Sequence, residues 1–153
     1  MQAKDIMSQP VVTVKKHDTL SVVAVKLEEY NISGMPVVDD NNRVVGIISE
    51  FDLIKISDEL DLGSGRYPFG SLSADMSLES VAYLCRGLST MSSARVEEIM
   101  TRDVVTVESN TPLEQVARLM VKRRINRMPV LEDGKLVGII TRNNLLKGLV
   151  DQL

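Results

Sequence analysis

A mixed α/β fold (α+β type), made of two β-α-β-β-α repeats packed sheet to sheet with pseudo-two-fold symmetry, is predicted by three features of the sequence. The first is a duplication. "KDIMSQPVVTV" (Lys4–Val14) returns as "EEIMTRDVVTV" (Glu97–Val107), and "ISGMPVVDDNNRVVGII" (Ile32–Ile48) returns as "INRMPVLEDGKLVGII" (Ile125–Ile140), one residue shorter in the turn. The second is that each copy alternates β-branched runs with apolar residues at helical spacing, the pattern of layered α/β packing. The third is size. A unit of about 50 residues buries too little surface to be comfortable alone, so two copies should stack and leave a cleft between related surfaces.

Taken in order, each copy opens with a short helical turn around Ile6 or Ile99 and a strand at Val11–Val14 or Val104–Val107. A helix follows. Its apolar face is Leu20, Val23, Ala24 and Leu27 in the first copy, and Leu113, Val116, Ala117 and Met120 in the second. Thr111 before Pro112 supplies a cap and a proline at the first helical position, where no donor is lost. Strands at Met35–Val38 and Met128–Leu131 then turn through "DDNN" and "EDGK" into Val44–Ile48 and Leu136–Ile140, as hairpins. A last helix starts near Ser49 or Thr141. The expected domains are repeat 1 over 1–56, repeat 2 over 96–153, and between them a loop plus amphipathic helix over 57–95. That helix would carry Leu78, Val81, Ala82, Cys85 and Leu88 on one face, with Ser77 as its cap.

Composition narrows the function classes. The chain is 44% hydrophobic but only 3% aromatic and has no Trp, so Val, Ile, Leu and Met must build the core. A net charge of −3 argues against a general nucleic-acid binder, which needs excess clustered Lys and Arg. In the basic run Lys122–Arg127, the cations Lys122, Arg123 and Arg124 fit a solvated helix end better than a DNA contact, while Arg127 lies past the helix. One cysteine excludes an internal disulfide framework, so a reducing cytoplasm is expected. No apolar run suits a membrane span, and the N-terminus lacks the apolar core of a signal peptide. His17 is a lone histidine without partner ligands, so no metal is expected. No phosphate loop, nucleophile elbow or catalytic acid pair is present, so the chain is not expected to be an enzyme.

The turn "GIISEFD" (Gly46–Asp52) recurs as "GIITRNN" (Gly138–Asn144). Ser49 with Asp52 three residues on fits a capping box. The same pair also places a hydroxyl and a carboxylate at the end of a strand, where ligands commonly lie. A carboxylate can accept from both hydroxyls of a ribose diol. The residues alone leave both readings open.

The ordered pair "DIM…VVTV…ISGMPVVD…VVGIISEFD" and "EIM…VVTV…INRMPVLED…LVGIITRNN" resembles the CBS-domain (cystathionine-β-synthase-type) family, and two copies in one chain resemble its Bateman module. The resemblance implies an adenosine-containing ligand (AMP, ADP, ATP or sometimes S-adenosylmethionine) between the repeats, with no cofactor required. It assigns Ser49 and Asp52 to the ribose, Val12 and Ile32 with nearby Met35 to the adenine, and Arg127 beside Asn126, with Lys4, to the phosphate. In a second site, Thr141, Val105 and Ile125 match. Asn144 replaces the carboxylate there, and Ser33 and Gly34 stand where Asn126 and Arg127 stand in the other copy, so that site is expected to be weak or empty. The resemblance further implies a homodimer that signals to an unidentified regulated protein. A structural dimerisation module with decayed ligand sites is the rival expectation.

Overall fold

The computed structural model describes residues 1–60, Ser89 and 92–153. The expected insert helix, with Ser77 and Cys85, lies outside them. The first copy contributes α1 (Ala3–Ile6), β1 (Val14–Lys15), α2 (Leu20–Glu29), β2 (Gly34–Val38), β3 (Val44–Ser49) and α3 (Glu50–Leu60). The second contributes α4 (Val96–Ile99), β4 (Val107–Glu108), α5 (Leu113–Arg123), β5 (Arg127–Glu132), β6 (Lys135–Thr141) and α6 (Arg142–Val150). They form two three-stranded sheets, ordered β1-β2-β3 and β4-β5-β6. In each sheet the first pair is parallel and the second antiparallel. A parallel pair needs a crossover, which α2 and α5 provide. The predicted mixed α/β architecture of paired repeats is the one observed.

The hairpins close by different chemistry. In the first, Asp39 Oδ1 accepts from the backbone of Asn41 and Arg43, each at 2.9 Å, and Asn42 adopts φ 59°. In the second, Asp133 and Gly134 both take positive φ, 51° and 76°. That is the geometry of a tight two-residue hairpin, and it explains the missing residue. Asn42 also ties the halves together: its Nδ2 donates to the Leu136 carbonyl at 2.9 Å and its own carbonyl accepts from the Leu136 amide at 3.0 Å.

The opening segments are exchanged between copies. The first core holds Val14, Leu20, Val23, Met35, Val37 and Ile48, together with Val96 and Met100 from the second copy. The second holds Val107, Leu113, Val116, Met128, Val130 and Ile140, together with Ala3, and Ile6 and Met7 pack against it. Matching backbone bonds fix both crossings. The Ala3 amide donates to the Thr111 carbonyl at 2.8 Å, and the Val96 amide to Asp18 at 2.9 Å. Farther along, Ser8 and Ile139 exchange bonds of 2.8 and 3.1 Å, as Thr101 and Ile47 do at 2.9 Å each way. Val96 is fully buried, and a valine removed from water is worth roughly 1.5–3 kcal/mol, so the exchange makes each half depend on the other.

Two glycines permit this close approach. A Cβ on Gly46 would run into the Met100 side chain, and one on Gly138 into Met7. The exchange also shortens the first strands. β1 begins at Val14 and β4 at Val107, because the residues before them are still crossing from the partner copy's sheet.

Candidate functional site

Two clefts lie where the exchanged segments meet the ends of β3 and β6. The larger, about 770 Å³, contains Ser49, Asp52, Val105, Ile125, Asn126 and Arg127. The smaller, about 510 Å³, contains Thr141, Asn144, Val12, Ile32, Ser33, Gly34, Asn126 and Arg127. Both volumes lie within the range of small-molecule sites.

This grouping corrects the expected one. Val12 and Ile32 stand with Asn144, while Val105 and Ile125 stand with Asp52. The cause is the crossing. Thr101 pairs with Ile47, so the chain running on to Val105 passes beside β3, and the Ser8–Ile139 pair carries Val12 to the end of β6. Met35 joins neither cleft. It pairs with Ile48 in the sheet, and its side chain is wholly buried in the first core. Lys4 also lines neither; it is exposed on α1, with its amide donating to the Ser109 carbonyl at 2.9 Å.

At the Asp52 cleft, one carboxylate oxygen is used and the other is spare. Asp52 Oδ2 accepts from the Ser49 amide at 2.8 Å and from Ser49 Oγ at 3.2 Å. Oδ1 has no hydrogen-bond partner among the described residues. The capping and ligand readings of this pair are therefore compatible, one oxygen for each. Asp52 is half-buried, so an acceptor here is partly shielded from water.

The Asn144 cleft uses up the corresponding atoms. Asn144 Oδ1 accepts from the Thr141 amide at 2.9 Å and from Thr141 Oγ1 at 2.7 Å, while the Asn144 amide donates to Thr141 Oγ1 at 3.3 Å. A backbone amide can only donate, which fixes which end of the side chain is oxygen. The remaining group, Nδ2, donates to Ser8 Oγ at 3.0 Å. Where Asp52 keeps an open acceptor, Asn144 presents an engaged donor.

The expectation that a phosphate-facing base is missing from the second cleft is overturned. Gly34 leaves a gap in its wall, and the Arg127 guanidinium fills it: a Cβ on Gly34 would coincide with the guanidinium. Arg127 Nη2 donates to Ser33 Oγ. Arg127 thus borders both clefts. Burial lowers its pKa from the usual value, against the opposing pull of the Glu50 and Asp52 carboxylates. A guanidinium remains charged even so.

Sequence reading missed Phe51, Thr101, Arg124 and Arg142, which also line the Asp52 cleft. Arg142 borders the second cleft too. Arg124 belongs to the basic run taken for a solvated helix end, and its signal was the position. It caps α5 with φ 53° and thereby leaves the helix axis. Phe51 is 62% exposed, with Lys55 Nζ 5.3 Å from its ring centre. No helix among the described residues is long and apolar enough to cross a membrane.

Comparison with known proteins identifies the family. The family model described as CBS domain matches residues 3–59 and again 96–151. An uncharacterized protein of Methanocaldococcus jannaschii is 32% identical over 158 aligned positions, covering 98% of this chain and 92% of that one. The chain spans 57% and 51% of two longer chloroplastic CBS domain-containing proteins of Arabidopsis thaliana, CBSX1 and CBSX2. Among solved structures, CBSX2 in complex with AMP superposes with a TM-score of 0.72 at 28% identity, covering 98% of this chain and 97% of that one. The CBS domain pair of protein MJ0100, in complex with 5-methylthioadenosine and S-adenosyl-L-methionine, gives 0.71 at 27% identity, covering 100% and 98%. The chain belongs to the CBS-domain family and carries two CBS repeats.

Proposed function

We propose that this CBS-domain pair is a regulatory module and not an enzyme. It binds an adenosine-containing ligand in the Asp52 cleft and passes the bound state to a partner protein. AMP, ADP and ATP are the first candidates, and S-adenosylmethionine is a further one. The observation that carries the reading is the division of labour at Asp52: Oδ2 caps α3 while Oδ1 has no partner among the described residues, beside a guanidinium suited to phosphate. The apolar residues Ile47, Val105 and Ile125 in the same cleft suit a flat base. The structures of CBSX2 with AMP and of the MJ0100 pair with adenosine compounds support the ligand class.

A homodimer belongs to the same reading. Val25 is 61% exposed on α2 and Val121 78% exposed on α5, while Phe51 and Leu146 stand 62% and 61% exposed on α3 and α6. These residues offer apolar surface for a second copy, and sedimentation velocity giving a monomer mass would remove that part of the proposal. The ligand part has a direct thermal test. A ligand that binds only the folded state adds roughly 2.7 kcal/mol at 100 times its dissociation constant. The expected result is a clear rise in melting temperature with millimolar AMP, ADP or ATP. No rise with any of them, nor with S-adenosylmethionine, overturns the reading.

A second reading draws on the Asn144 box, whose polar atoms are all engaged. It holds that the duplicated fold serves assembly alone. Its mark is a dimer that forms normally and responds to no adenosine compound.

A further inference from the structure

Arg127 is half-buried at the start of β5 and borders both clefts. Its guanidinium carries five N–H donors, yet among the described residues its one hydrogen bond goes to a neutral hydroxyl, Ser33 Oγ. No carboxylate among the described residues forms an ion pair with it. The gap left by Gly34 holds it there. Ser33 and Gly34 line the Asn144 cleft and not the Asp52 cleft, so in this structure the guanidinium rests on the Asn144 side. Reaching a phosphate in the Asp52 cleft requires it to leave Ser33. Arg142 also borders both clefts, but it is exposed and screened by solvent.

We propose that Arg127 is a single anion anchor shared by the two clefts, resting on Ser33 and Gly34, so that phosphate-bearing ligands in the two clefts oppose each other while ligands without phosphate do not. This rests on the adenosine-ligand reading above and adds a coupling to it. An AMP phosphate in the Asp52 cleft draws the guanidinium away and leaves the other cleft without its desolvated cation. Adenosine carries no phosphate, makes no claim on Arg127, and leaves the clefts independent.

The asymmetry between Asp52 and Asn144 weakens the second cleft for adenosine and AMP alike. The shared arginine adds a penalty for AMP alone, which separates the two effects. The test is calorimetric titration of the full chain with adenosine and with AMP, for the wild type, Arg127→Gln and Ser33→Ala. In the wild type, the ratio of second to first dissociation constants should be about tenfold larger for AMP than for adenosine, the scale of one charge-assisted hydrogen bond. Arg127→Gln should abolish that excess, weaken the first AMP site about tenfold, and leave adenosine unchanged. Ser33→Ala, which removes the resting partner and no fold contact of the core, should tighten the first AMP site severalfold.

Several results overturn the coupling while keeping the ligand reading. They are an equal ratio for the two ligands, an excess that survives Arg127→Gln, an unmoved first AMP site in Ser33→Ala, or no second site for either ligand. Binding of neither ligand overturns the ligand reading and the coupling with it.

Discussion

The Asp52 and Asn144 clefts are built on corresponding elements, and at the residue that names each of them the difference is a single atom. Both residues use an oxygen to cap the start of their own helix: Asp52 Oδ2 accepts from Ser49, and Asn144 Oδ1 accepts from Thr141. What remains is a carboxylate oxygen without a partner among the described residues in one cleft and an NH2 bonded to Ser8 Oγ in the other. The two copies share the structural half of the device, and one of them has the open acceptor. A capped helix and a ligand site can therefore diverge independently, because the two duties fall on different atoms of one side chain.

The largest expected effect breaks the Asp52 side outright. Asp52→Ala removes the cap and the free acceptor together. AMP binding should fall about 100-fold, the scale of losing strong hydrogen bonds to a charged group, and stability by about 1 kcal/mol for the lost cap. Calorimetry and chemical denaturation read the two effects separately. The expected loss of stability with unchanged affinity would mean that the pair is only a cap.

Asp52→Asn is a finer cut, because it makes the first cleft resemble the second. Asn144 shows that an amide oxygen makes the capping bonds at 2.9 and 2.7 Å. Stability should therefore hold within about 0.5 kcal/mol while AMP affinity drops about tenfold, since a neutral acceptor is the weaker one. The reciprocal change, Asn144→Asp, keeps one oxygen for Thr141 and replaces the NH2 donor with a second, charged acceptor beside Ser8 Oγ. It should strengthen adenosine binding in the smaller cleft severalfold, read as a second calorimetric site. If neither exchange moves affinity, the difference between the clefts lies elsewhere.

Much of this was legible in the sequence. The duplication predicted the paired sheets, and the helical spacing predicted α2 and α5. Of the capping box expected at Ser49 and Asp52, the bonds from Ser49 to the carboxylate are present, and the complete box is the one at Thr141 and Asn144. The division of residues between clefts was not legible, for a physical reason. The crossings are held by backbone bonds, such as Thr101 with Ile47, which any residue can make and which leave no mark in side-chain pattern. Chain proximity therefore put Val12 and Ile32 with Asp52, whereas the exchanged segments carry them to Asn144. The role of Gly34 was hidden in the same way. Its missing side chain reads as a lost base, but in three dimensions it is the space that Arg127 occupies.

The smallest effect tests a third corresponding pair, the residues that end α2 and α5. Asn31 and Arg124 both take left-handed backbone, at φ 48° and 53°. Asn tolerates that region through its short polar side chain, whereas a long side chain there is strained. Helices commonly end in this conformation with Gly or Asn. Arg124 departs from that preference at the edge of the Asp52 cleft, where a cation can face a ligand's phosphate. If the strain is tolerated for the sake of the cleft, Arg124→Asn should stabilise the unliganded fold by about 0.5 kcal/mol and weaken AMP binding severalfold, with adenosine binding unchanged. Denaturation midpoints with and without AMP would show the two effects as opposite shifts. A variant that is stabilised yet binds AMP as tightly as before would leave Arg124 as a strained helix end, and Arg127 as the cleft's principal cation.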